Sequence, residues 1–253
     1  METITFETKC YENDWRFLLQ TPYLDEMVAR CETPFTHRQL IINNVNDLST
    51  VCRHADEKVR QGVIDAYYVA ADYADEALRF FGIDRDSFGR GYYYSIAELV
   101  GLYLCRTAYH LHFSSDARMD KGGSWQWIER AVTLMEANPS YAVANPTWNR
   151  RYKEAARESI GEIEDFYVGY GFSDQCYLVR SAQFRQPIYN EQNPASARYP
   201  AYGGELFEKR VDSYMRNHGL KRLTHKKASY MHRNFPKNPL LKRLRQAECN
   251  WLR

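Results

Sequence analysis

The feature that most constrains this chain is the way strand-like and helix-like periodicities take turns through its first half. Thr3-Ile4-Thr5-Phe6-Glu7-Thr8 alternates polar and apolar residues as a strand does. Asn13-Asp14 offers a helix N-cap, and Trp15, Leu18 and Leu19 open an apolar helical face. Beyond Pro22 a second helical piece carries Leu24, Met27 and Val28. Arg38 to Ile42 is a short apolar run that ends in Asn43-Asn44, the pattern of a buried strand with a polar end. Leu48, Val51, Cys52, Ala55 and Val59 then fall at helical spacing, residues 64–70 read as a strand, and a short helix runs through Ala77, Phe80 and Phe81. Ile96, Leu99, Val100, Tyr103, Leu104 and Thr107 share one helical face, and Ala108 to Phe113 reads as a strand that stops at Ser114-Ser115-Asp116. Repeated strand–helix units imply an α/β fold with a mostly parallel central sheet flanked by helices on both faces. Ligands of such sheets sit beyond the carboxyl ends of the strands. Polar residues gather at those ends: Thr8 to Glu12, Asn43 to Asp47, Ala71-Asp72 and Ser114 to Arg118.

The second half is less regular. The spacing predicts a helix through Trp125, Ile128, Val132 and Met135, and a strand over 141–146 that Pro146 terminates. An acidic helix is expected over 151–165, strands near 166–170 and 175–179, a Pro- and Asn-rich loop over about 187–203, and a helix through Leu206, Val211 and Met215. Residues 219–253, rich in Lys and Arg, read as a basic tail wrapping the domain. At 253 residues the chain suits one domain with an appendage. A net charge of +2 gives no reason to expect nucleic acid as a partner. The six cysteines form no Cys-x-x-Cys pair, which argues for buried free thiols in a reducing compartment. The start of the chain has no basic, then apolar, leader pattern, and no apolar run reaches the roughly 18–20 residues of a membrane span. The expected location is therefore cytoplasmic.

Among side chains that could carry chemistry, Asp116 stands out. A carboxylate at the end of a strand can hold a divalent cation that neutralises two phosphates; it can equally cap the following helix. His110-x-His112 puts two rings on one strand face, but no third ligand lies nearby at zinc spacing, so buried or surface histidines are expected there. His225 and His232 lie in the basic C-terminal stretch, where solvated histidine is the plain reading.

The order of a strand at 3–8, an Asn-rich strand end at 41–47, a strand at 64–70, a helix at 95–107 and a strand with an acidic turn at 108–118 resembles the GT-A fold glycosyltransferases, most nearly the inverting family 2. In that family the fourth strand ends in Asp-x-Asp, which binds Mg2+ or Mn2+ and the sugar diphosphate. Here the motif reads Ser114-Ser115-Asp116, with Asp116 as the one counterpart. The resemblance implies a nucleotide-sugar-binding half over 1–120, an acceptor-binding half over 121–218 and the basic extension 219–253. It implies a UDP-sugar donor held by Thr8, Cys10, Glu12, Asn43, Asn44, Asp72, Ser95, Ser115 and Asp116. Mn2+ or Mg2+ would sit on Asp116, with His232 as a further ligand. The turn Gly203-Gly204-Glu205 is similar to the one that supplies the family's catalytic base, which makes Glu205 the first candidate and Asp174 its rival. Each also has an ordinary structural role open to it, as a first-turn acid or a turn residue.

The resemblance implies inverting transfer of a sugar to a hydroxyl of a glycan or lipid-linked acceptor. The basic clusters after Lys221, with Leu240, Leu241, Leu244 and Trp251, could hold a diphosphate or touch an anionic membrane surface, or form a solvated face. The missing second aspartate supports an alternative, an inactive module of the same fold that binds a glycan or protein partner. Nucleotidyl transfer fits less well, because residues 8–16 contain no glycine for a phosphate loop.

Overall fold

A computed structural model of the chain describes residues 2–199, 205–238, 240–242, 244, 246 and 247. The expected alternation is present: β1 (Ile4–Cys10), α1 (Trp15–Gln20), α2 (Tyr23–Ala29), β2 (His37–Ile42), α3 (Leu48–Arg60), β3 (Ala66–Val69), α4 (Ala70–Phe81), α5 (Tyr92–Leu104) and β4 (Tyr109–Phe113). There follow β5 (Ala117–Met119), α6 (Trp127–Ala137), β6 (Tyr141–Trp148), α7 (Tyr152–Arg157), β7 (Ser159–Ile163), β8 (Phe166–Gly169), β9 (Cys176–Arg180), α8 (Ser181–Phe184), α9 (Phe207–Asn217) and β10 (Lys221–His232). Local chemistry sets several boundaries. Asp47 Oδ1 accepts from Thr50 N at 3.0 Å to start α3. Gly82, at φ 64°, ends α4 in the left-handed region.

The strands form one sheet in the order β3-β2-β1-β4-β9-β6-β10-β8-β7, with β5 against β10. The first four are parallel to their neighbours, whereas β9 is antiparallel to both β4 and β6. Alternate residues feed two cores. Phe6, Leu111 and Phe113 face α1, α2, α3 and α6, and Ile41, Val143 and Tyr177 face α4, α5 and α9. Both faces of the sheet are thus covered, as a parallel sheet requires.

Three expectations need correction. The stretch from Lys221 to His232 does not wrap the surface: it is a 12-residue strand between β6 and β8, with Leu223, Ala228 and Tyr230 buried. Its basic residues meet the acidic segment, with Arg222 Nη2 3.2 Å from Glu158 and Lys226 Nζ 2.6 Å from Glu162. That acidic segment is helical only as far as Arg157. From Ser159 it is the edge strand of a hairpin turned at Glu164 (φ 47°), and edge strands tolerate the charge that made the sequence look helical. Nor does Pro146 end β6, which runs on to Trp148. Pro146 pairs with His225, where β10 breaks register before Ser229. Within that bulge the buried His225 accepts at Nδ1 from Lys227 N (3.2 Å) and Ala228 N (2.8 Å), so its ring braces the backbone.

Candidate active site at the carboxyl edge of the sheet

Because β1 to β4 run parallel, their C-terminal ends share one edge. Because β9 and β10 lie beyond β4, the start of β9 and the end of β10 reach the same edge. Phe113 pairs with Cys176, and Ser114 N donates to Gln175 O at 2.9 Å. At the far end of β10, His232 pairs with Ala117 of β5. Residues more than a hundred positions apart in sequence therefore meet here: His232 Nε2 lies 3.2 Å from Asp116 Oδ1, and Ser114 Oγ donates to the same oxygen at 3.1 Å. Burial alone would push the Asp116 carboxyl up, but His232 and Ser114 outweigh it and leave the group below its ordinary value. Burial lowers His232, and Asp116 more than compensates, so the imidazole is raised.

Ser115 donates its hydroxyl to Asp14, at the start of α1, whose backbone-bonded carboxylate also accepts from Tyr11 N at 2.5 Å. Burial pushes Asp14 up to about 7 against those hydrogen bonds, and the charge of Asp116 adds to the rise. Asp14 was missed in the sequence because a residue beside Trp15 reads simply as a helix cap.

The residues expected to hold a nucleotide scatter around this edge. Glu12 accepts from Asn46 N at 2.9 Å, and Asn43 and Asn44 both donate to Tyr93 O at 3.2 and 3.1 Å. Tyr11 and Tyr93 stack at 5.9 Å and 18°. With Tyr94, Asp14, Lys237 and Lys242 they line a cavity of about 360 Å³. A second cavity of about 460 Å³ lies beside it over the ends of β2 and β3, and Asn43, Asn44, Arg85 and Tyr92 line it. Thr8 and Cys10 fall inside β1, which runs two residues past its expected end, and both are fully buried. Asp72 is exposed in the first turn of α4. Ser95 is buried and accepts from Phe207 N at 2.9 Å, fastening the start of α9 to α5.

The two base candidates have different surroundings. Glu205 Oε1 accepts from Lys209 Nζ at 2.5 Å in a partly exposed ion pair. Asp174 sits just before β9, and its charge acts on Lys9, Glu98, Glu208 and His232. Glu208, one turn into α9, is the carboxylate that accompanies Asp174: burial, and then the charge of Asp174, push it up to about 8, although the Asp174 backbone N–H bonds to it. Glu98 is likewise pushed up to about 7 by burial, against the pull of its ion-pair partner Lys9, with Asp174 adding to the rise. Glu208 also lines a cavity of about 370 Å³ with Trp148, Arg198, Tyr199, Arg222 and Tyr230. No sequence spacing could join Asp174 to Glu208, since 34 positions and an irregular loop intervene; the pairing arises from β9 and α9 converging.

No family model and no curated protein sequence matches the chain. Solved structures do. The structure of GalNAc-T7 with UDP, GalNAc and Mn2+ superposes with a TM-score of 0.57 at 11% identity, covering 92% of this chain and 44% of that one. Glucosyl-3-phosphoglycerate synthase from Mycobacterium tuberculosis gives 0.48 at 12% identity over 96% and 76% of the two chains, and S. aureus TarS 1-349 gives 0.46 at 11% over 91% and 60%. The chain spans less than half the length of the GalNAc-T7 chain that it matches. Four parallel strands with an acidic turn after the fourth, an antiparallel β9 beside it and a match across nine-tenths of the chain lead to one conclusion: this chain has the GT-A fold.

Proposed function

We propose that the chain is a divalent-metal-dependent glycosyltransferase that takes a sugar from a nucleoside diphosphate, with a UDP-sugar as donor. The observation that carries the reading is the contact between Asp116 and His232 at 3.2 Å, at the end of the fourth strand. A carboxylate oxygen and an imidazole nitrogen side by side suit Mn2+, with diphosphate oxygens and water as the remaining ligands. The likeness in fold to GalNAc-T7, whose structure holds UDP and Mn2+, supports the same reading. Tyr11 and Tyr93 would take the base by stacking, and Lys237 and Lys242, on the same cavity, would face the phosphates.

The acceptor would lie in the cavity lined by Trp148 and Tyr199, whose rings suit the faces of a glycan or of a lipid-linked sugar. The pair of Asp174 and Glu208 would take the proton of the attacking hydroxyl, with Glu208, pushed up to about 8 by burial and then by the charge of Asp174, holding a proton at neutral pH. Displacement from the face opposite the leaving diphosphate makes the reaction inverting. Among the described residues no helix is long and apolar enough to cross a membrane; the basic C-terminus remains a proposed contact with a lipid surface.

The test is thermal shift with UDP, GDP, CDP and dTDP, each with and without Mn2+. A ligand at about 100 times its dissociation constant adds about 2.7 kcal/mol of stability. UDP is expected to raise the melting temperature only with Mn2+, and Asp116→Ala and His232→Ala to abolish the metal dependence. An unchanged response in Asp116→Ala removes Asp116 from the site, and no response to any nucleotide favours the inactive glycan- or protein-binding module.

A further inference from the structure

Beneath the carboxyl edge, between the sheet and α5, lies a polar cluster that the transfer reaction does not use. Glu7 of β1 pairs in register with His112 of β4, and His110, two residues earlier on the same strand, shares its face. All three side chains are wholly buried, and their ligand atoms lie within 4.8 Å of one another. Glu7 Oε1 is 3.0 Å from His112 Nδ1 and 3.5 Å from His110 Nε2. Tetrahedral zinc with bonds of about 2.0–2.1 Å holds its ligand atoms roughly 3.3 Å apart, within this range. The other carboxylate oxygen is already committed, since Gln39 Nε2 donates to Oε2 at 2.6 Å and so fixes the plane of the group with Oε1 turned to the histidines. His112 stacks on Tyr177 at 4.9 Å and 15°, which fixes its ring as well.

A cluster that needed only protons would make hydrogen bonds with every facing atom. His110 Nε2 instead stands 3.5 Å from Glu7 Oε1, long for a hydrogen bond, and the Cys105 thiol that also faces the ring is a weak partner, so neither ring nitrogen makes a hydrogen bond of good geometry. A buried imidazole held only by long or weak contacts is costly, and with three ligand atoms within 4.8 Å of one another a metal ion between them would remove that cost. We propose that Glu7, His110 and His112 form a second, structural metal site for a zinc-class divalent ion, which ties β1 to β4 and is distinct from the cation at Asp116. Because the site is fully buried, the ion enters as the sheet closes and does not exchange with solvent.

The test uses the full chain, purified without a metal-affinity column and dialysed against EDTA to clear exchangeable cations. Metal analysis after denaturation is expected to find about one equivalent of zinc per chain. Asp116→Ala, which acts on the other site, should retain that ion, and His112→Ala should lose it. Should His112→Ala fail to fold, wild-type protein grown with Co2+ in place of zinc is the second measurement. Visible cobalt bands that survive EDTA and persist in Asp116→Ala support the site. Folded wild-type protein that carries no zinc after purification, or whose only metal is lost in Asp116→Ala, overturns it.

Discussion

Replacing Gly101 by alanine makes a test in which helix propensity and tertiary structure predict opposite signs. Gly101 lies inside α5, where alanine is ordinarily favoured by about 0.8–1.0 kcal/mol. Yet a Cβ at this position would stand 1.9 Å from Glu7 Oε2 and 2.3 Å from Glu7 Cδ. Glu7 cannot simply swing away, for Gln39 and His112 hold it at 2.6 and 3.0 Å in a fully buried place. Overpacking a core costs about 1–3 kcal/mol, and losing a hydrogen bond to a charged group about 1.5–3. Set against the helix gain, the net loss comes to about 2–4 kcal/mol, which for a chain of this size lowers the melting temperature by roughly 5–15 °C. Thermal and urea unfolding of Gly101→Ala measure it, with Gly161→Ala as the control. No atom lies within 4 Å of a Cβ at Gly161, so the control should change stability by less than about 0.5 kcal/mol. A Gly101→Ala protein as stable as wild type, or more so, would refute the close approach of α5 to Glu7.

Two further outcomes follow from the carboxylates and from α9. Glu208, raised from 4.5 to about 8, holds a proton in the folded state that the unfolded chain has already released, so its contribution is complete below 4.5 and is lost as pH rises through about 8. Melting temperatures across that window should fall with rising pH and fall less in Glu208→Gln; parallel curves would contradict the partly buried pairing of Glu208 with Asp174. Ser95→Ala removes the acceptor of Phe207 N and leaves a buried N–H unanswered, at a cost of about 1–3 kcal/mol by urea unfolding. A neutral result would mean that α9 is not fastened to α5 through Ser95.

The alternation of strands and helices up to Phe113 and the free buried cysteines at 10, 31, 105 and 176 were legible in the sequence. They rest on short-range regularities: periods of 2 and 3.6, caps, and polar residues at strand ends. Where the pattern depended on distant partners, the sequence misled. Lys221 to His232 looked like a solvated basic tail because its charges are neutralised by Glu158 and Glu162, some sixty residues earlier, and only the sheet brings them together. Likewise His110-x-His112 lacked a third partner until parallel pairing set Glu7 beside it, and Asp174 gained Glu208 only through the approach of α9. The contact of Asp116 with His232 falls between these cases. Both residue types were readable as ligands, but their separation of 3.2 Å was decided by β10 entering the sheet next to β6 and bringing its last residue to the carboxyl edge.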